Sequence, residues 1–106
     1  MVNIKLDNET LVILKSAIYM VCKEDAQYSK DYKGIIELCE FIMKRSEKNL
    51  KTETDKESIK NNKDFYKGAA GVIKFAKECE AKNISFNDVI ESVNKNIESF
   101  SILLNK

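Results

Sequence analysis

No proline occurs anywhere in this chain, and glycine occurs only three times. Those two residues break helices and shape the tight turns between strands. A chain of 106 residues with so few of them has helices as its main option, with Asp, Asn and Ser left to start and stop them. At that length one domain is expected, able to bury roughly two-thirds of its unfolded surface without disulfide or metal support. Apolar residues make up 43% and charged residues 33%, the balance of a globular rather than a disordered protein. The expected fold is all-α, a single-domain antiparallel helical bundle of about four helices.

The most apolar stretch is LVILKSAIYMVC at 11–22, interrupted only by Lys15 and Ser16. It is too short for a membrane-spanning helix, which needs about 20 residues. Asp7 just before it suits an N-cap, and Leu6 and Leu11 stand where a hydrophobic staple would. The alternation in VNIKL at 2–6 also fits a short strand, but no partner strand is evident, so the staple is preferred. A helix to about Asp25 places Met20, Ile13, Ala17, Val21, Leu14, Ile18, Leu11 and Cys22 over about 200° of its circumference. Such a wide apolar arc predicts a central helix with several neighbours.

The short AQYS link at 26–29 predicts an antiparallel hairpin with a second helix, starting near Ser29 or Asp31 and running to about Lys48. Residues 49–63 are nearly all polar and read as a connection between two helical halves. Thr54 and Glu57 spell a capping box there, consistent with an extra short helix, and Asn61-Asn62 reads as a break. A third helix is expected over 64–82, stopped by Asn83. A fourth begins at ISFND, where Ser85 caps, Asp88 completes the box and Ile84 staples to Val89. It runs to about Leu104, with Phe86, Ile90, Val93, Ile97, Phe100 and Leu104 forming a coiled-coil-like seam. Ile102 and Leu103 widen that apolar surface and call for a covering neighbour, such as another copy of the chain.

There are 18 basic and 17 acidic residues, a net charge of +1, which argues against a strongly electrostatic partner. The bases are lysines except Arg45, and Asn and Ile are frequent. All three types have A/T-rich codons, which points to an AT-rich genome such as that of a low-GC bacterium, its phage or a plasmid. Cys22, Cys39 and Cys79 are odd in number and far apart, a poor disulfide framework and a poor zinc site. Each falls on an apolar face, so buried free thiols in a reducing compartment are expected. No basic segment followed by an apolar core opens the chain, so no secretory leader is expected and the location expected is cytoplasmic.

No histidine is present, which removes Cys-His, Ser-His-Asp and HExxH sites. Glu37 and Glu40 lie on a charged helix face where nothing would raise a carboxylate pKa. Glu80, at the edge of the third helix's apolar arc, suits an ion pair. No catalytic, metal or cofactor site is therefore assigned, and an enzyme is not expected. KGAAGVIK at 67–74 lacks the strand, the glycine spacing and the helix start of a phosphate loop. Gly68 and Ala69 there read instead as a place of close helix approach.

Candidate contacts are side chains that break their helix's pattern. Val12 and Tyr19 sit seven apart, outside the first helix's apolar arc on the side of Lys15, Ser16 and Lys23, either as a scattered exposed pair or a contact with a loop, or as an interaction seam. Phe41 lies among charges on the second helix, with Gly34 seven residues earlier on the same stripe. It reads either as an anchor for a partner, with Gly34 admitting a partner's backbone, or as a side chain beneath the polar 49–63 connection. Val12, Tyr19, Gly34, Phe41, Ile102 and Leu103 form the candidate protein interface, with Phe41 the stronger candidate. Lys67, Lys74 and Lys77 line one face of the third helix, joined by Lys60 and Lys63. That face is ordinarily solvated, and phosphate contact is its functional alternative. The expected function is non-enzymatic protein–protein binding, as an inhibitor, adaptor or regulatory subunit that self-associates. The alternatives are a nucleic-acid-binding module using the lysines and a structural subunit of a larger assembly.

Overall fold

The computed structural model describes residues 6–23 and 25–95, and of residues 92, 94 and 95 the backbone only. Four helices follow in order: α1 Asn8–Val21, α2 Tyr32–Thr52, α3 Lys56–Ala81 and α4 Phe86–Lys95. The fold is all-α, with no strand among the described residues. No helix among them is long and apolar enough to cross a membrane. The proposed strand at 2–6 and the seam beyond residue 95, including Ile97, Phe100, Ile102, Leu103 and Leu104, lie outside or at the edge of these residues.

Three of the four helices start on an aspartate. The Asp7 carboxylate accepts from the Thr10 N–H at 2.9 Å, Asp31 from Gly34 at 2.8 Å and Asp55 from Ser58 at 2.9 Å. Each satisfies an N–H that the helix itself leaves without a partner. At Asp31 the Gly34 N–H, with help from the Ser29 hydroxyl, holds the carboxyl below its usual pKa range. The end of α3 is equally well defined. Asn83 adopts a left-handed φ of 57°, the Asn83 N–H donates to Glu80 and the Ile84 N–H donates to Cys79. Those two reversed bonds make a Schellman stop, with Asn in the place glycine usually takes. The Ser85 carbonyl then accepts from the Asp88 and Val89 N–H groups and opens α4.

The polar stretch 49–63 is helix, not connection. α2 continues to Thr52 and α3 starts at Lys56, so the turn comprises only residues 53–55 and no separate short helix exists. The Glu53 carboxylate accepts from the Thr54 and Asp55 N–H groups, and Asp55 rather than Thr54 caps α3. Asn61-Asn62 does not break the helix. Asn62 donates to the Ser58 carbonyl at 2.8 Å and accepts from the Asn49 amide of α2 at 3.2 Å. With buried Ser46 nearby in sequence on α2, this end of the α2–α3 hairpin carries polar groups along its contact rather than a wholly apolar seam.

The hairpin is therefore α2–α3, and α3 is the central helix. It packs extensively on α2 and on α1, whereas α1 and α2 touch in few places. The expected hairpin of the first two helices is corrected, as is the central position of the first. α1 ends at Val21, with Cys22 as its C-cap, so its link to α2 is longer than AQYS. Its buried residues run from Ile13 to Ile18 on the wheel, an arc of about 140°. Met20 and Cys22, at the two edges of the predicted arc, are exposed.

One core joins all four helices, with Leu14 and Ile18 of α1, Ile35 and Leu38 of α2, Val72 and Phe75 of α3, and Val89 and Val93 of α4. The buried Tyr32 hydroxyl donates to the Ile84 carbonyl at 2.6 Å, and its ring meets Phe86 edge-on at 5.2 Å. Burial raises the Tyr32 phenol pKa, which keeps that proton in place. The start of α2 is thereby tied to the α3–α4 turn.

All three glycines lie inside helices and act as steric gaps. A Cβ on Gly68 would strike the Glu9 carbonyl and Ile13 of α1, and one on Gly71 would strike the Thr10 side chain. Gly68→Ala should therefore destabilise the fold by about 1–3 kcal/mol through overpacking, against a helix-propensity gain of about 1 kcal/mol. Gly71→Ala, which meets a side chain rather than backbone, should cost less. Urea midpoints of the two variants measure the order, and a Gly68→Ala protein more stable than wild type would contradict the α1–α3 packing.

Candidate functional site

Phe41 is 51% exposed on α2, with Lys44, Arg45 and Lys48 around it on the same side of the helix. It does not lie beneath a 49–63 loop, because those residues are helical apart from the 53–55 turn. Gly34, by contrast, is closed. It is buried, and a Cβ there would collide with the Ser29 carbonyl of the same chain. The expectation that Gly34 admits a partner's backbone is corrected, since the residue ahead of α2 already fills that space. Among the described residues Phe41 is the one large apolar side chain exposed on α2.

α1 presents more. Val12 is 59% and Tyr19 68% exposed, two turns apart on the side opposite the buried arc. Phe65 is 46% exposed and stands beside Val12. With Ile13 they wall a hollow of about 220 Å³ whose polar rim is Asn8, Glu9 and Asp64. Phe65 lies toward the N-terminal end of α3, ahead of the Gly68–Gly71 crossing, where α1 covers it only in part. Helical spacing puts Phe65 on the same face as the buried Val72 and Phe75, but it cannot tell where along α3 the crossing helix begins.

A second concavity of about 260 Å³ runs between α1 and α4, walled by Ile18, Tyr19, Cys22, Ile90 and Val93 and rimmed by Lys15 and Lys23. The Lys23 ammonium sits 4.9 Å from the centre of the Tyr19 ring, a cation–π contact. The outer face of α1 thus carries an acid-rimmed hollow near its start and a base-rimmed groove near its end. Sequence reasoning found Val12 and Tyr19 but not Phe65, Ile90 or Val93, which come from segments distant in the chain.

The candidate lysines are all exposed. Lys60, Lys63, Lys67, Lys74 and Lys77 fall with Lys56 inside an arc of about 100° on α3. Lys67 lies 3.9 Å from the Asp7 carboxylate, a loose pair at the surface. Glu37, Glu40 and Glu80 are exposed. Ile102 and Leu103 lie outside the described residues.

No family model matches the chain, and no curated protein or solved structure is found similar to it. The site rests on its own residues.

Two of the three thiols are sealed. Cys39 and Cys79 are fully buried, and burial pushes their pKa values up to about 12 and about 11. Cys22, expected to be buried, is exposed at the α1–α4 groove, because the helix stops there and its side chain falls at the edge of the arc. In the native protein one thiol, Cys22, should react promptly with a disulfide reagent at neutral pH, and Cys39 and Cys79 only after unfolding. Counting released chromophore before and after denaturant measures this. Prompt reaction of two or more thiols would contradict the packing of α2 on α3.

Proposed function

We propose that this chain is a non-enzymatic binding protein that docks another protein through the outer face of α1 and the adjoining part of α3. The observation that carries the reading is the meeting of Val12 and Phe65, 53 positions apart in sequence, at one surface hollow with an acidic rim. Large apolar side chains brought together at a surface, beside an exposed tyrosine, have the composition of an interface centre. An inhibitor, adaptor or regulatory subunit working in the cytoplasm fits a chain of this size, and no cofactor is required for it. This reading moves the principal anchor from Phe41, which stands apart on α2, to Val12, Phe65 and Tyr19.

The lysine face of α3 supports a second reading, contact with a nucleic-acid backbone. Its six exposed lysines lie along a 26-residue helix roughly 39 Å long. Binding of that kind falls steeply as salt rises.

The two readings separate in one experiment. Tagged wild type, Val12→Asp/Phe65→Ser and Lys63→Gln/Lys67→Gln/Lys74→Gln are compared in pulldowns from the native host, with nuclease-treated controls. Protein docking through α1 predicts loss of the captured partner with the first variant only, corresponding to about 2–4 kcal/mol at an anchor. Both variants change exposed positions, so circular dichroism should show an intact fold. Loss with the lysine variant alone, abolished by nuclease, would favour the nucleic-acid reading.

A further inference from the structure

The two concavities on α1 are complementary to each other. One is walled by Val12 and Phe65 and rimmed by the carboxylates of Glu9 and Asp64. The other is bordered by Tyr19, the most exposed of the large apolar side chains among the described residues, and rimmed by Lys15 and Lys23. Val12 and Tyr19 stand on the same side of α1, about 10 Å apart along its axis, the first hollow shared with α3 and the second with α4. The geometry points to a second copy of this chain as an occupant of this face: two copies pair through α1 about a two-fold axis, each placing Tyr19 in the Val12–Phe65 hollow of the other.

This inference rests on the protein-docking reading and names its partner. A two-fold operation brings the hollow of each copy to the groove of the other, so both contacts form at once and the assembly closes as a dimer. In each contact a basic rim meets an acidic rim, while an aromatic ring enters an apolar pocket. Opposite charges around a desolvated apolar centre fix orientation and exclude mismatched partners. A face carrying only one sign of charge would repel its own copy. This face carries both, with Glu9 and Asp64 toward its start and Lys23 toward its end.

Sedimentation equilibrium of the full chain tests it, together with two charge-reversed proteins. Wild type should reach twice the 12.2 kDa chain mass and stop there, with an association that weakens as salt rises. Tyr19→Ser, at an exposed position, should weaken association by roughly tenfold or more while the fold persists. Lys15→Glu/Lys23→Glu makes both rims acidic, and Glu9→Lys/Asp64→Lys makes both basic. Each of these alone should be monomeric, and an equimolar mixture should form the heterodimer. Formation of the heterodimer also shows that both variants are folded. A wild type that stays monomeric to about 1 mM, a dimer indifferent to Tyr19→Ser, or growth into open chains would overturn the inference. A monomeric wild type whose captured partner is still lost with Val12→Asp/Phe65→Ser removes the second copy alone. A monomer whose capture is unaffected removes the docking reading as well.

Discussion

The structure depends on the close approach of α1 to α3 at Gly68 and Gly71. Helix axes can come this near only where side chains are missing, and Glu9, Thr10 and Ile13 occupy the space. Glycine inside a helix costs about 1 kcal/mol relative to alanine, so α3 carries two destabilising residues where its neighbour crosses. The contact also fixes function-bearing positions. It buries Thr10, Ile13 and Leu14 and so turns Val12 outward. Phe65, just ahead of the crossing, is left half covered. An exposed apolar hollow is thus a direct consequence of where one helix meets another.

The two ends of the α2–α3 hairpin are held by different chemistry. At one end, Tyr32 ties the start of α2 to the α3–α4 turn and the start of α4, through one short hydrogen bond to the Ile84 carbonyl and an edge-on contact with the Phe86 ring. Toward the 53–55 turn, Asn49, Asn62 and Ser58 link the helices with polar side chains. Cys39 and Cys79 lie fully buried within the hairpin's core and behave there as small apolar residues. Flat polarity was thus no obstacle to helix formation.

Much of this was legible in the sequence, and what was not has identifiable reasons. The Asp7 cap, the Asn83 stop and the start near Ser85 follow from local chemistry, and the structure agrees at each, while of the two starts open for the second helix, Ser29 and Asp31, Asp31 is the cap. Gly68 reads correctly as a close approach. The polar stretch 49–63 reads as a connection because low apolar content resembles a loop, whereas it continues α2 and α3, with Asn62 bonding to Ser58 and across to Asn49. The central role went to α1 on the width of its apolar arc, but Met20 and Cys22 at the edges face outward, and α3 holds the centre with smaller residues. The wheel places Val12, Tyr19 and Phe41 off their helices' apolar arcs, and in the structure all three are exposed. The pairing of Val12 with Phe65 was not, because it depends on the crossing point of two helices, which periodicity does not encode. Gly34 likewise faces Ser29, a contact made by the segment leading into its own helix.

The central claim is that α3 is one unbroken helix from Lys56 to Ala81 on which α1 and α2 both pack. Backbone chemical shifts of the isotope-labelled chain, with through-space contacts at Gly68, test it most directly. The account predicts continuous helical shifts over 32–52 and 56–81, interrupted only at 53–55, and contacts from Gly68 to Glu9 and Ile13. Coil shifts through 49–63 with a break at Asn61-Asn62, or a Gly68 without α1 neighbours, would contradict it.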